Sequence, residues 1–145
     1  MKFIILNGPN LNLLGSRDQN QYGSLTLEGI ENLIKSEYKD DTFEFFQSNH
    51  EGELIDKIQS ASKQFDGLII NPGGYSHTSV AIRDALLECK IPKIEVHLSN
   101  ISGREDFRKV TITAAVCNGY LSGFKDDGYI AAIFLLKRII LKAKA

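Results

Sequence analysis

Glu95 and His97 stand two residues apart inside an apolar run, and His77 closes the segment Asn71-Pro72-Gly73-Gly74-Tyr75-Ser76-His77. Residues two apart on an extended strand point the same way. The Glu95 carboxylate could therefore orient the His97 ring and fix its tautomer, as a proton-transferring histidine requires. The same residues with His77 could instead hold a metal, but neither an HExxH motif nor a cysteine cluster accompanies them, and no metal is expected. Asn7-Gly8-Pro9-Asn10 adds a second set of amides, and Leu98-Ser99-Asn100 follows His97 directly. Asn-Gly and Pro-Gly-Gly are also ordinary turn formers. Neither GxGxxG nor GxxxxGKS/T occurs, which argues against a nucleotide-phosphate cradle. His50 has no such company and is expected to be structural or at the surface.

Residues 8–24 make a long loop with little apolar content after Leu14, carrying Gly15, Arg17, Tyr22 and Gly23. Loops of that length inside compact domains are usually functional or disordered. With glycine hinges, this one is expected to act as an active-site lid. The alternative is a surface loop in which Arg17 and Tyr22 merely face water.

Such groups act together only if the fold brings them to one place. The chain has 145 residues, of which 43% are hydrophobic and 24% charged, and a single domain spanning residues 1–145 is expected. A formal net charge of -1 gives no general attraction to nucleic acid or to an anionic membrane. The opening Met1–Asn7 is too short an apolar run for a signal peptide. The run Tyr129–Leu136 stops at Lys137 and Arg138, far short of the roughly 18 residues that a membrane span needs. Cys89 and Cys117 show no metal or redox spacing, so both are expected to be reduced core residues of a cytoplasmic protein.

Apolar runs alternate with helical patterns along the chain. Strands are expected at Lys2–Leu6, Phe43–Phe46, Gly67–Ile70, Lys93–Val96 and Ile112–Cys117, the last able to run on through Tyr120–Phe124. Leu27, Ile30 and Ile34 share a helical face behind Ser24 or Thr26 as N-cap. Ser48-Asn49-His50-Glu51 has capping-box spacing ahead of Leu54, Ile55 and Ile58. Val80–Leu87 and Gly128–Lys142 give two more helices, with cations near the C-terminus of the last. This alternation implies an α/β fold with right-handed crossovers: a flavodoxin-like, doubly wound, five-stranded parallel sheet of order 2-1-3-4-5. Strands 1, 3 and 4 are then neighbours, so the polar residues at their C-terminal ends converge on the crevice at the switch point. A module binding FMN or another phosphorylated ligand is the alternative for such a topology.

Three long segments carry a resemblance. Asn7-Gly8-Pro9-Asn10-Leu11-Asn12-Leu13-Leu14-Gly15, with Arg17 and Tyr22-Gly23, resembles the opening signature of the type II 3-dehydroquinate dehydratases. Asn71 to Ser79 with Arg83-Asp84 resembles the second signature, and Ile94 to Ile101 with Arg104 to Arg108 the third. Gly123-Phe124 and Gly128-Tyr129 match near the end. Asp18-Gln19, Ser102-Gly103 and Lys125-Asp126-Asp127 depart from the family pattern at loop positions, where they bear on lid geometry and dynamics.

The resemblance implies trans dehydration of 3-dehydroquinate to 3-dehydroshikimate through an enolate, in the shikimate pathway or in quinate breakdown, with no cofactor. It implies Tyr22 as base, Arg17 as its electrostatic partner, His97 as acid oriented by Glu95, and Asn10 as enolate stabiliser. Asn71, His77 and Arg108 would hold ring hydroxyls, and Ser99 with the Leu98 backbone N–H the carboxylate. Asp84 would reach the site of a neighbouring subunit, in trimers assembled into a dodecamer. Phenols ordinarily keep their proton until about pH 10, and moving that by about 3 units takes roughly 4 kcal/mol. A guanidinium about 4 Å away supplies on the order of 4 kcal/mol at an effective dielectric of 20, so Arg17 is adequate once a closed lid excludes water.

Overall fold

Continuous apolar runs bury both faces of the central strands. The computed structural model describes all residues, Met1–Ala145. Strands β1 (Lys2–Asn7), β2 (Thr42–Gln47), β3 (Gly67–Asn71), β4 (Lys93–His97) and β5 (Gly119–Ser122) pair in parallel in the order β2-β1-β3-β4-β5. The helices are α1 (Gln19–Tyr22), α2 (Leu27–Glu37), α3 (Glu51–Ala61), α4 (Val80–Glu88) and α5 (Asp127–Lys144). No helix is long and apolar enough to cross a membrane.

Alternation along β1 sends Phe3 and Ile5 to one face of the sheet and Ile4 and Leu6 to the other. The first face packs on Ile30 and Ile34 of α2 and on Tyr129, Ile133 and Leu136 of α5. The second packs on Leu54 and Ile58 of α3 and on Ile82 and Leu86 of α4. β4 gives Ile94 and Val96 to the first face. Its other face therefore carries Lys93, Glu95 and His97, all buried. Lys93 satisfies its ammonium on the carbonyls of Cys89 (2.8 Å) and Ile91 (3.4 Å).

The expected fifth strand shifts along the chain. Ile112 and Thr113 give their N–H groups to the carbonyl of Ser76, a turn 3-10 in form spans Ala114–Val116, and pairing with β4 begins only at Gly119. The expected capping box at Ser48 does not form. Ser48 Oγ accepts from the His50 N–H at 2.9 Å and its hydroxyl donates to Glu53, while α3 starts at Glu51 behind His50 without a side-chain cap. Of the two candidate caps for α2, Thr26 is the one used, accepting from the Gly29 N–H at 3.0 Å.

Residues 8–24 are folded. A 3-10 turn spans Leu11–Leu13, α1 forms one helical turn, and Leu11 and Leu14 anchor the segment in the core. Gly15 (φ 94°) and Gly23 (φ 85°) take left-handed backbone that glycine adopts freely. At the switch point β1 and β3 nearly touch: the Gly8 N–H donates to the Asn71 carbonyl at 2.7 Å, and a Cβ at Gly8 would lie 2.5 Å from the Pro72 carbonyl oxygen. Tyr129 ties the two strand ends together from below. Its hydroxyl donates to Asn7 Oδ1 (2.6 Å) and accepts from Asn71 Nδ2 (3.2 Å). Burial pushes this phenol above its ordinary value, with the Asn71 bond acting the other way.

Far from the crevice, Asp41 joins the Met1 amino group (2.7 Å) and Lys137. Burial alone would raise its carboxyl, but the bonds to Lys137 and the amino group outweigh that and hold it below the ordinary carboxylate value. A group depressed in this way stabilises the fold above its unfolded value, near 3.9, and the contribution fades as pH falls through the folded value. Asp41→Asn should therefore lower stability by about 1–3 kcal/mol at pH 7 and flatten the acid decline, read by urea unfolding across pH. Tyr129→Phe leaves Asn7 Oδ1 and Asn71 Nδ2 short of a partner. It should also cost about 1–3 kcal/mol in the same measurement.

Candidate active site

The C-terminal ends of β1, β3 and β4, with residues from the 8–24 segment, enclose a polar crevice of about 120 Å³. Asn10, Arg17, Tyr22, Asn71, His77, His97, Leu98, Ser99 and Arg108 all line it, together with Arg104. Only four of its fifteen lining residues are hydrophobic, which suits a small polyhydroxy ligand rather than an apolar one.

On the loop side, Arg17 donates from Nη2 to the Tyr22 hydroxyl at 2.9 Å, and its guanidinium carbon lies 3.9 Å from the Tyr22 ring centroid. The Arg104 guanidinium lies 5.4 Å from the same ring and donates to Ser99 Oγ at 3.3 Å. Two permanent positive charges thus converge on one phenol. Asn10 has a left-handed backbone (φ 69°), and its N–H donates to Asn49 Oδ1 at 3.0 Å.

On the strand side, Glu95 lies beneath the crevice with no exposure and accepts from His97 Nε2 at 2.6 Å. Ser76 and Thr113 also donate to its carboxylate, each at 2.6 Å. The His77 Nδ1–H donates to the Val110 carbonyl at 2.8 Å, which leaves Nε2 as the free ring nitrogen, and the ring stacks 6.3 Å from that of His97. Asn71 accepts from the Gly73 N–H at 3.2 Å, while Tyr129 holds its amide nitrogen. Arg108 is ion-paired with Glu105 at 2.7 Å.

Two candidates do not line this crevice: Glu95, buried beneath it, and Asp84. Asp84 pairs with Arg83 at 3.2 Å on the outward side of α4, where its side chain is 62% exposed. Val80 and Leu87 are exposed on the same helix, one turn away on either side, so Asp84 sits in a stripe facing away from this chain's own site. No group of three or more His, Cys, Asp and Glu residues could hold a metal ion.

Sequence reasoning left four residues without a role: Ser76, Thr113, Arg104 and Tyr129. Ser76 reads as a turn residue beside two glycines, and Thr113 as part of a strand. Their signal is the buried, water-free Glu95 carboxylate, which needs donors from somewhere. Arg104 was visible as a second arginine four residues before Arg108, but nothing local says that it turns toward Tyr22.

The profile of the dehydroquinase class II family matches residues 1–137. A 3-dehydroquinate dehydratase of Thermotoga neapolitana is 50% identical over 141 residues, covering 96% of both chains. One from Fusobacterium nucleatum is 52% identical over 141 residues, covering 94% of this chain and 96% of the relative. Among solved structures, the type II dehydroquinase of Butyrivibrio crossotus superposes with a TM-score of 0.91 at 50% identity, covering 94% of this chain and 97% of that one. A match over nearly the whole length, together with a fold that superposes on a type II dehydroquinase, means that the chain belongs to the class II dehydroquinase family.

Proposed function

We propose that this chain removes water from 3-dehydroquinate to give 3-dehydroshikimate, a trans elimination through an enolate. The observation that carries the reading is the meeting in one crevice of the Arg17–Tyr22 pair with His97, which Glu95 holds from beneath. The elimination needs a base, an enolate stabiliser and an acid. Tyr22, as phenolate, takes the C2 proton beside the ketone. Arg17 cannot lose its own proton, so its charge is always present to meet the phenolate oxygen. Asn10 stabilises the enolate oxygen through a bound water. His97 then gives a proton to the C1 hydroxyl, the C–O bond breaks, water leaves and the enolate collapses to the conjugated enone. Tyr22 returns its proton to solvent and His97 regains one, so the enzyme ends as it began.

The remaining groups hold the substrate. Asn71, His77 and Arg108 take the ring hydroxyls, and Ser99 with the Leu98 N–H takes the carboxylate. Residues 8–24 act as the lid that brings Tyr22 and Arg17 over the ring. The outward placement of Asp84 supports its service in a neighbouring subunit's site, within trimers that build a dodecamer. The work belongs to the cytoplasm, in the shikimate pathway or in quinate breakdown. The single domain needs no cofactor.

Purified protein mixed with 3-dehydroquinate should produce the ultraviolet absorbance of a conjugated enone; no growth of that band would refute the reaction. Tyr22→Phe should lower turnover by at least about 100-fold while a product analogue still binds within a few fold. Near-normal turnover in that variant would remove Tyr22 as the base. Limited trypsin should cut after Arg17 more slowly when the analogue is bound, and equal cutting with and without it would count against the lid.

A further inference from the structure

The buried Glu95 carboxylate has a single ion-pair partner, His97, yet it accepts three hydrogen bonds. Ser76 and His97 both donate to Oε1, each at 2.6 Å, and Thr113 donates to Oε2, also at 2.6 Å. Ser76 and Thr113 are themselves fully buried. A charge in a water-free interior persists only where hydrogen bonds replace its hydration. Two of the three replacements here are hydroxyls that touch no part of the crevice. The consequence falls on His97. An anionic Glu95 takes the Nε2–H, so the neutral ring keeps its proton there and leaves Nδ1 for the crevice.

We propose that Ser76 and Thr113 are positioning residues for the acid of the reaction. Their hydroxyls hold Glu95 as a carboxylate and share its charge with His97, and so set both the tautomer of His97 and how readily it gives up its second proton. The mechanism is competition for one charge. Each hydroxyl bond draws on the carboxylate, and with one removed Glu95 pulls harder on the imidazolium. The pair then keeps its proton to higher pH. A proton held more tightly is also donated more slowly.

The other ionisable groups around this pair are otherwise engaged. Lys93, next along the same face of β4, donates to backbone carbonyls. The Cys117 thiol is pushed up to about 12, by burial first and the Glu95 charge second, and so stays neutral. His77 gives its Nδ1–H to Val110. β5 has no charged residue, and Arg83 and Asp84 of α4 pair with each other at the surface. On the crevice side, Arg17, Arg104 and Arg108 keep their charge at all working pH values. Tyr22 and His77, whose Nε2 is free, are the remaining titratable groups there, and Tyr22→Phe and His77→Asn separate their contributions.

The inference rests on His97 being the acid, but its first readout needs no turnover. Histidine-labelled protein is titrated by long-range proton–nitrogen NMR, with the His97 signals assigned by their loss in His97→Gln. Wild type should show the Nε2–H tautomer. Thr113→Val, which keeps the shape and drops the hydroxyl, and Ser76→Ala should each raise the His97 midpoint by about one pH unit. Thr113→Ser, which keeps the hydroxyl, should titrate like wild type. The alkaline limb of kcat should move with the midpoint in each variant. Unmoved midpoints in Thr113→Val and Ser76→Ala would overturn the proposal, as would a Thr113→Ser shift as large as that of Thr113→Val, which would mean packing alone. If Thr113→Val fails to fold, Ser76→Ala decides. Wild type that titrates as expected but never dehydrates 3-dehydroquinate would refute the reaction and leave the charge-sharing network standing.

Discussion

One buried negative charge organises the strand side of this site. A carboxylate moved from water into an interior is unstable by several kcal/mol unless the interior supplies what water did. Glu95 meets that demand with three donors drawn from three places: His97 on its own strand, Ser76 in the turn after β3, and Thr113 in the segment before β5. The demand explains features that look unrelated. The turn after β3 must be tight enough to lay a serine beneath the sheet, which the glycine-rich segment at Gly73 (φ 59°) permits. Residues 112–113 must leave the strand path and bond to the Ser76 carbonyl, so the fifth strand is delayed to Gly119.

A second tie, from Asn7 through Tyr129 to Asn71, fixes the other half of the floor. It joins the ends of β1 and β3 at the point where the chain reverses its winding, which is where open α/β sheets leave a crevice. Because Tyr129 belongs to α5, the last helix reaches back to set an amide on the third strand. The floor is thus held by side chains from distant parts of the chain, and no buried side-chain nitrogen or oxygen is left without a partner.

Most of the architecture was legible because it is written in local pattern. β1, β3 and β4 are unbroken apolar runs, and their neighbourhood follows from the alternation of strands and helices. Glu95 and His97 were legible as a pair because a strand repeats every two residues. What the pattern did not carry is pairing across long separations. Ile112–Cys117 has strand composition, yet the Ser76 carbonyl claims two of its N–H groups. Ser48 has capping-box spacing, yet Glu53 takes its hydroxyl. In both cases a specific hydrogen-bond partner overrides a local preference, and only the folded chain names that partner.

The two halves of the proposed chemistry call for different supports. An acid whose strength depends on a buried charge must be held rigidly, and His97 sits on a central strand with its bond to Glu95 shielded from water. A base that relies on a permanent cation carries its own partner, so Tyr22 and Arg17 can travel together on one loop. The seat for that loop is the turn at Lys125, whose N–H donates to the Leu98 carbonyl at 3.0 Å. Lys125 has a left-handed backbone (φ 50°), which costs a non-glycine residue about 1–2 kcal/mol. In exchange its side-chain stem lies against Gly23, where a Cβ would sit 3.6 Å away. Glycine at position 125 would relax the backbone and remove that stem. The strain at Lys125 is therefore tied to the end of the segment that carries Arg17 and Tyr22, and not to the network beneath the crevice.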